Sequence, residues 1–394
     1  MRTAARILLL ALAILLLPGC WDRREINDIA FVLGSAVDKK GEKYIASIQV
    51  ALPSQMGGAG SSGGGGGTAG NKSYLLLSHS GDTVRMANYE EQLYMSRQLF
   101  FAHRRVLLVG EEMAQDGIAP IMDVLGRIPQ NRLSSYMVAT RGPALDYMKV
   151  SGEIERYPSE IVRELAVNAM TNPATMKLVI DKLMTDGIDV VLPAVRIVNN
   201  EQGSKPAKST GIKMDGLAIF RQGKLLRILT GEESQFMLLA MGEAKAPELA
   251  LPAPRGHGDI VLGLHNTAIK IETSIEEDIP VFRLVVQGKA IVVDNESNFT
   301  LASDDQLKEL ERAMNKRLNA GITKVVKSVQ QEGADPIGLG RALSKKMPHA
   351  WERYHEKWEV SLKEARVDVQ SMVRIGNTGT VLKSFGLKEE ELVQ

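Results

Sequence analysis

The only cysteine of the chain, Cys20, follows a basic start and an unbroken apolar run. Two arginines precede the apolar residues 7–17, and Gly19 puts a small residue directly before the cysteine. A membrane-spanning helix needs about 20 apolar residues, so the run predicts a signal segment, residues 1–19, that is removed. A cysteine directly after such a segment supplies the sulfur for a diacylglyceryl thioether. The sequence therefore predicts a lipoprotein signal, with Cys20 as the lipid attachment site.

An ordinary secretory signal with a chance cysteine is the alternative, and the position of the single cysteine favours the lipoprotein. Two acyl chains hold a protein stably on a membrane, whereas one does so only marginally. Residues 20–28 are short and polar, which predicts a tether that keeps the folded part close to the membrane surface.

The composition excludes several classes of function. The 375 residues after Gly19 (394 minus 19) suffice for two or three domains. A formal net charge of +1 gives no electrostatic reason to bind nucleic acid. Once Cys20 carries a lipid, the chain has no thiol left for a disulfide, a cysteine-rich zinc site or a cysteine nucleophile.

Residues 29–199 are predicted to form an N-terminal mixed α/β domain, because strand-like and helix-like patterns alternate there. Within it, residues 57–70 are rich in glycine and predict a flexible loop. This loop lacks the Gly-Lys-Ser/Thr ending of a phosphate-binding loop. The predicted strands are 29–37, 43–51, 74–78, 105–109 and 135–139, and the predicted helices are 82–97, 111–125, 159–170 and 174–185.

The polar segment 199–210 marks a boundary, and residues 211–257 are predicted to form a small middle domain. Its features are a hairpin and then a helix that ends at about Met241. Thr230 and Glu233 at the start of this helix have the spacing of a capping box. Three prolines and two glycines in residues 246–258 predict a second linker or an extended crossing.

Residues 258–394 predict a C-terminal α+β domain, an antiparallel sheet with a long helix packed on one face. Two long strands form a hairpin, a helix begins at Ser303, a second opens at Asp335-Pro336, and residues 367–375 alternate as a final strand. One apolar stripe runs along the long helix, and it consists of Leu307, Leu310, Met314, Leu318, Ile322, Val325 and Val329. A third helix carries an aromatic stripe that is predicted to be core, namely Trp351, Tyr354 and Trp358.

The sequence predicts no catalytic, cofactor-binding or metal-binding residue. No nucleophile is paired with a base in a recognisable constellation. Paired carboxylates are expected in first turns of helices, where the helix dipole favours negative charge, or on exposed helix faces, and they are Glu90-Glu91, Glu111-Glu112, Glu232-Glu233 and Asp304-Asp305. His103 is interpreted as a packed or hydrogen-bonded structural residue. The other histidine pairs lack the i, i+4 spacing of helical metal ligands, and they are His257 with His265 and His349 with His355.

Several stretches in order along the chain carry a family resemblance. They are residues 19–26 (GCWDRREI), the glycine-rich loop, 101–106 (FAHRRV) with 110–111, 215–220 (DGLAIF), 230–234 (TGEES) and 334–343 (ADPIGLGRAL). On these stretches the chain resembles the C subunits of spore germinant receptors, the Ger(x)C lipoproteins of endospore-forming bacteria. Ala102 stands where that family pattern has glycine.

The resemblance implies three mixed α/β domains, and so an α+β fold class overall. It also implies a place on the outer face of the inner spore membrane, beside a multispanning A subunit and a transporter-like B subunit. Because the B subunit is thought to hold the nutrient, direct small-molecule binding by this chain is not expected. The implied function is a non-enzymatic, lipid-anchored receptor subunit needed for spores to respond to germinants. A solute-binding lipoprotein of a transporter and a lipid-anchored hydrolase are the alternatives.

Overall fold

The computed structural model describes residues 26–52, 73–128, 130–150, 155–200, 209–377 and Val393. The predicted signal segment, Cys20, the first part of the tether and the glycine-rich loop 57–70 lie outside these residues. A short 3-10 helix, Ile26–Asp28, leads into the first strand. The described chain forms two sheets with helices packed on them, which confirms the predicted α+β class.

The first sheet has nine strands, of which eight follow the order β3-β2-β1-β5-β6-β7-β8-β9 while β4 pairs with β1. β1, β5, β6 and β7 are parallel to one another, and hairpins extend the sheet on both sides. All five strands predicted in this part of the chain are confirmed. The strands are β1 (Ile29–Lys40), β2 (Lys43–Ala51), β3 (Tyr74–Gly81), β4 (Gln98–Phe100), β5 (Val106–Val109), β6 (Tyr136–Thr140), β7 (Val191–Asn200), β8 (Ser209–Arg221) and β9 (Lys224–Thr230).

Helices cover both faces of this sheet, and separate apolar clusters fill the two spaces. The single helix predicted at 111–125 is in fact two helices, because the chain turns at Gly117, where φ is +132°. The N–H of Ile118, directly after the turn, donates a hydrogen bond to Gly223 O at 2.9 Å. The helices are α1 (Val84–Tyr94), α2 (Glu111–Asp116), α3 (Ala119–Arg127), α4 (Ala144–Tyr147), α5 (Pro158–Ala169) and α6 (Met176–Leu183).

The second sheet has the order β10-β11-β12-β13, and its long strands confirm the predicted hairpin. The prediction of a wholly antiparallel sheet is wrong for the final strand, because β13 pairs with β12 in parallel. The helices between β12 and β13 carry the chain back to the end at which β12 began, so the next strand runs the same way. The strands are β10 (Glu248–Pro252), β11 (Asp259–Glu276), β12 (Ile279–Asn295) and β13 (Arg366–Asn377).

One long helix, α8 (Asp304–Gln331), packs along the second sheet as predicted. Its apolar stripe faces the core, with Leu310, Met314, Leu318 and Ile322 fully buried. Ser303 and Gln306 form a capping box at its start. The remaining helices of this half are α7 (Gly231–Met241), α9 (Leu339–Lys346), α10 (Pro348–Tyr354) and α11 (Trp358–Glu364).

The capping box predicted at the start of α7 is wrong. Thr230 is the N-cap, but its side chain makes no capping hydrogen bond. The Ser234 hydroxyl donates instead to Gly231 O at 2.7 Å, so the first turn is closed by a serine that sequence spacing did not single out.

Residues 211–257, which the sequence analysis treats as a small middle domain, are divided between the two sheets. β8 and β9 continue the first sheet, and β10 is an edge of the second. Alternate residues of β8 enter different cores, since Leu217 and Ile219 face the second sheet while Ala218 and Phe220 face helices of the first. The segment therefore joins the halves of the molecule through one continuous core.

Candidate functional site: the junction between the two sheets

The loop between α8 and α9 is organised by one buried carboxylate, Asp335, which is 2% exposed. It accepts hydrogen bonds from the N–H groups of Gly338 (2.8 Å), Leu339 (2.9 Å) and Gly340 (2.9 Å), and from Trp358 Nε1 (3.1 Å). Burial raises its pKa to about 6, against the opposing effect of these donors. The helix predicted to open at Asp335 begins only at Leu339, because Asp335 caps the helix from outside it.

A second acidic residue, Asp189, ties this loop to the first sheet. Its N–H donates to Asp335 O at 2.8 Å, and its carboxylate accepts from the N–H of Asp335 at 2.8 Å. The other oxygen accepts from the N–H of Gln222 in the β8–β9 turn at 3.1 Å. Burial raises the pKa of Asp189, and the two backbone donors oppose that rise. Three segments distant in sequence therefore meet at one buried and one partly buried carboxylate.

Glycines allow the two backbones to touch at this point. The N–H of Arg341 donates to Gly187 O at 2.9 Å. A Cβ atom on Gly340 would lie 2.6 Å from Gly187 Cα and 2.7 Å from the indole of Trp358, closer than real Cβ contacts. The stretch ADPIGLGRAL of the resemblance thus forms the second sheet's side of the junction.

Replacement of Gly340 by alanine is expected to lower the free energy of unfolding by about 2–3 kcal/mol, since backbone and indole must both shift. Gly126 is the matched control, because it is an exposed helical glycine whose added Cβ would meet no atom within 4 Å. Gly126→Ala should raise the free energy of unfolding by roughly 0.5–1 kcal/mol. Urea denaturation of both variants measures the difference, and equal effects would contradict the close contact.

Charged side chains surround the buried joint. Arg221 Nη1 donates to Glu332 O at 2.9 Å and to Glu359 Oε1 at 3.2 Å. Arg227 Nη2 donates to Ser328 Oγ at 2.8 Å, so both arginines of the β8–β9 hairpin hold the end of α8. Because these contacts are partly exposed, they orient the hairpin against the end of α8 more than they stabilise the fold.

A cavity of about 860 Å³ opens beside the joint, between α6, the β8–β9 turn and α11. Its lining combines apolar surface with charges of both signs. Lys182 is a partly buried cation of this lining, and burial lowers the pKa of its ammonium. The charged residues of the lining are Asp123, Lys182, Asp186, Asp189, Arg221, His355, Glu356, Lys357 and Glu359. The lining does not favour ligands of one charge sign.

The predicted aromatic core of the C-terminal part is confirmed. Trp358 is buried, and its ring lies edge-on to two other rings. The centroid-to-centroid distance is 6.2 Å to Phe282 and 5.1 Å to Trp351. Trp351 and Tyr354 pack against the same core and are partly buried. The three aromatics belong to two helices, α10 and α11, and not to one helix face as predicted.

His103 is more exposed than predicted, although its ring packs edge-on against Phe31 with the ring centroids 5.1 Å apart. The buried member of this stretch is the next residue, Arg104, which donates from Nη2 to Asn131 Oδ1 at 3.0 Å. Burial lowers the pKa of Arg104 to about 10. Sequence reasoning missed Arg104, since nothing in its local pattern marks a buried guanidinium.

Of the other histidines, His79 lies on β3 and the remaining four lie in the second half of the chain. Throughout the described residues, no group of three or more His, Cys, Asp or Glu side chains is arranged to hold a metal ion. Predicted carboxylate pairs have structural partners: Glu111 accepts from the N–H of Gly142 at 2.8 Å, and Glu232 binds Arg317 at 2.7 Å. Within the part of the chain that the structure describes, every helix is too short or too polar to cross a membrane.

One carboxylate of the predicted pairs is buried without a partner. Glu91 of α1 is 0% exposed, and neither of its oxygens has a hydrogen-bond partner. Burial raises its pKa to about 9, so the folded protein holds this carboxyl in its neutral form at pH 7. Its burial was not predicted, because the helix pattern around it has mixed spacing.

Two family models match the chain. The model for the spore germination protein N-terminal domain matches residues 22–197, and the spore germination B3/GerAC-like C-terminal model matches residues 215–379. These descriptions define the class, spore germination proteins with an N-terminal and a C-terminal part. The chain belongs to this GerAC family, as the sequence resemblance predicts.

Individual relatives cover nearly the whole chain. YfkR of Bacillus subtilis (strain 168) is 33% identical, over 98% of this chain and 99% of the relative. Spore germination protein B3 of the same organism is 25% identical, over 97% of this chain and all of the relative. A crystal structure of the GerBC protein is similar in fold, with a TM-score of 0.53 and 20% identity over 87% of this chain and 97% of that chain.

Proposed function

We propose that this chain is a lipid-anchored, non-enzymatic subunit of a nutrient germinant receptor. In this proposal Cys20 carries the lipid on the outer face of the inner spore membrane, and the folded part contacts the membrane-embedded A and B subunits. The observation that carries the proposal is membership of a family of spore germination proteins along almost the full chain.

The junction supports a scaffold or coupling role for such a subunit. A hinge between two lobes needs an interface that opens at low cost, and the default expectation for two domains is some relative motion. Here one buried carboxylate, one partly buried carboxylate and a continuous core join the sheets. Breaking buried hydrogen-bonded networks of this kind is costly. The subunit would therefore present its surfaces to both partners as one rigid body, while the lipid holds it at high local concentration beside them.

Replacement of Cys20 by alanine is expected to release the chain from membranes and to impair germination, because the diacylglyceryl group loses its attachment atom. Fractionation of membranes, with and without detergent, measures the release. Mass spectrometry of the N-terminal peptide of the unaltered chain checks the modification directly. Full membrane retention of the Cys20→Ala chain, together with an unmodified Cys20 in the parent chain, would contradict the anchoring proposal.

A solute-binding lipoprotein is the second candidate, and the cavity at the junction is the observation that favours it. The sheet topology does not favour a solute-binding protein, because such proteins have two similar doubly wound lobes around a cleft. The two sheets here differ in strand number and order. Calorimetric titration of the detergent-solubilised chain with candidate nutrients discriminates the two, since micromolar binding would favour the solute-binding protein. A broad esterase and peptidase screen tests the hydrolase alternative.

A further inference from the structure

α1 buries one carboxyl and exposes several large apolar side chains, unlike an ordinary surface helix. Its buried residues are Val84, Ala87 and the unpartnered Glu91. Its outward side chains include Met86, Tyr89, Leu93 and Tyr94, which are 45%, 46%, 62% and 66% exposed. A helix that only covers its own protein's core places apolar residues inward and carboxylates outward.

Three of the outward residues, Met86, Tyr89 and Leu93, form one strip along the helix, which we name the α1 apolar face. They follow one another at spacings of three and four residues, so they share one side of the eleven-residue helix. Tyr94 lies about 100° further round the helix, where its ring packs against that of His79 with the ring centroids 5.7 Å apart. Single exposed apolar residues are normal on soluble proteins, but clustered ones mark a binding surface. The α1 apolar face therefore has the composition of a surface that is covered in use.

The α1 apolar face lies beside the point where the described chain begins. Gln92 of α1 accepts a hydrogen bond from the N–H of Leu99 at 2.8 Å, and it donates to Arg97 O at 3.0 Å. These contacts fix the end of α1 to β4, and β4 pairs in parallel with Ile29–Phe31, the first residues of β1. Cys20 precedes Ile26 by six residues, a reach of at most about 20 Å.

We infer that the α1 apolar face rests on the lipid bilayer interface, so that α1 is a second membrane contact beside the lipid. This inference rests on the proposed anchoring through Cys20, which brings the face within reach of the membrane. Its middle residue is Tyr89, and tyrosine favours the interfacial region because the ring is apolar and the hydroxyl polar. The exposed Arg85 and Arg97 flank the face and suit anionic headgroups, while Glu90 is the exposed acidic residue of α1.

The test uses the chain's lack of any other cysteine. Leu93→Cys in the full, lipidated chain introduces a single free thiol, which is labelled with an environment-sensitive fluorophore. Val360→Cys is the matched control, because Val360 is 57% exposed and lies on α11 of the other half. Both labelled chains are reconstituted into vesicles of phosphatidylcholine and phosphatidylglycerol, with and without lipids that carry a nitroxide near the headgroup.

The inference predicts a blue shift and strong nitroxide quenching of the label at position 93, with little change at position 360. Absent or equal quenching at the two positions would overturn it, as would a label at 93 that becomes shielded only when a membrane protein partner is added. Thiol labelling of the unaltered chain separates the two proposals. Uptake of label there would mean that Cys20 is free and that the anchoring itself fails, whereas quenching failure in a lipidated chain rejects only the α1 contact.

Discussion

Replacement of Asp335 by alanine is expected to lower the free energy of unfolding by about 3–5 kcal/mol, because it leaves buried hydrogen-bond donors without an acceptor. Three backbone N–H groups and the indole N–H of Trp358 lose their acceptor together. The same change removes the cap of α9 and loosens the loop that Asp189 holds against the first sheet. Chemical denaturation of the purified protein, followed by circular dichroism, measures the loss.

Two further variants show that the loss comes from buried hydrogen bonds. Asp335→Asn keeps one acceptor oxygen and should lose part of the stability only. Asp305→Ala is the surface control, because the Asp305 side chain is 95% exposed, and its effect should stay within about 1 kcal/mol. Similar small losses for Asp335→Ala and Asp305→Ala would contradict the role given to the junction.

Replacement of Glu91 by leucine is expected to stabilise the protein by about 3 kcal/mol at pH 7, since the folded state then no longer holds a carboxyl without partners. Burial raises the pKa of Glu91 from 4.5 to about 9. Between these values the folded chain binds a proton that the unfolded chain releases, so this group's contribution to stability falls as the pH rises from about 4.5 to 9. Leucine should remove that dependence.

The measurement is the free energy of unfolding of both chains from pH 5 to pH 9. The gap between Glu91→Leu and the parent should widen steadily with pH. Glu90→Leu is the matched control, because Glu90 is the exposed neighbour on the same helix and should leave the pH dependence unchanged. A constant gap across the pH range would show that the folded state already pairs the Glu91 carboxylate.

Most elements of the fold could be predicted, because local pattern decides them. The apolar stripe of α8 and the alternation in β11 and β12 follow from burial on one face, and both are where the sequence placed them. The direction of β13 could not be predicted, since alternation in a strand is the same for parallel and antiparallel pairing. The break at Gly117 depends on a hydrogen bond to the distant Gly223, which no local pattern contains.

The candidate site was predictable in part. The stretch that contains Asp335 was singled out through the family resemblance, but its role depends on Asp189, which is 146 residues away in sequence. The α1 apolar face could not be predicted from the sequence for a related reason. Mixed spacing around Glu91 gives no clear inward face, and only tertiary packing shows that the carboxyl points inward while Leu93 and Tyr94 point outward.

Affinity purification of the tagged chain from detergent-solubilised membranes of sporulating cells tests the central proposal most directly. Mass spectrometry of the recovered proteins should identify a multispanning subunit and an amino-acid-permease-like subunit, both in amounts comparable to the tagged chain. Recovery of transport ATPase components, or of the tagged chain alone, would contradict the receptor proposal and would favour ligand binding at the junction cavity instead.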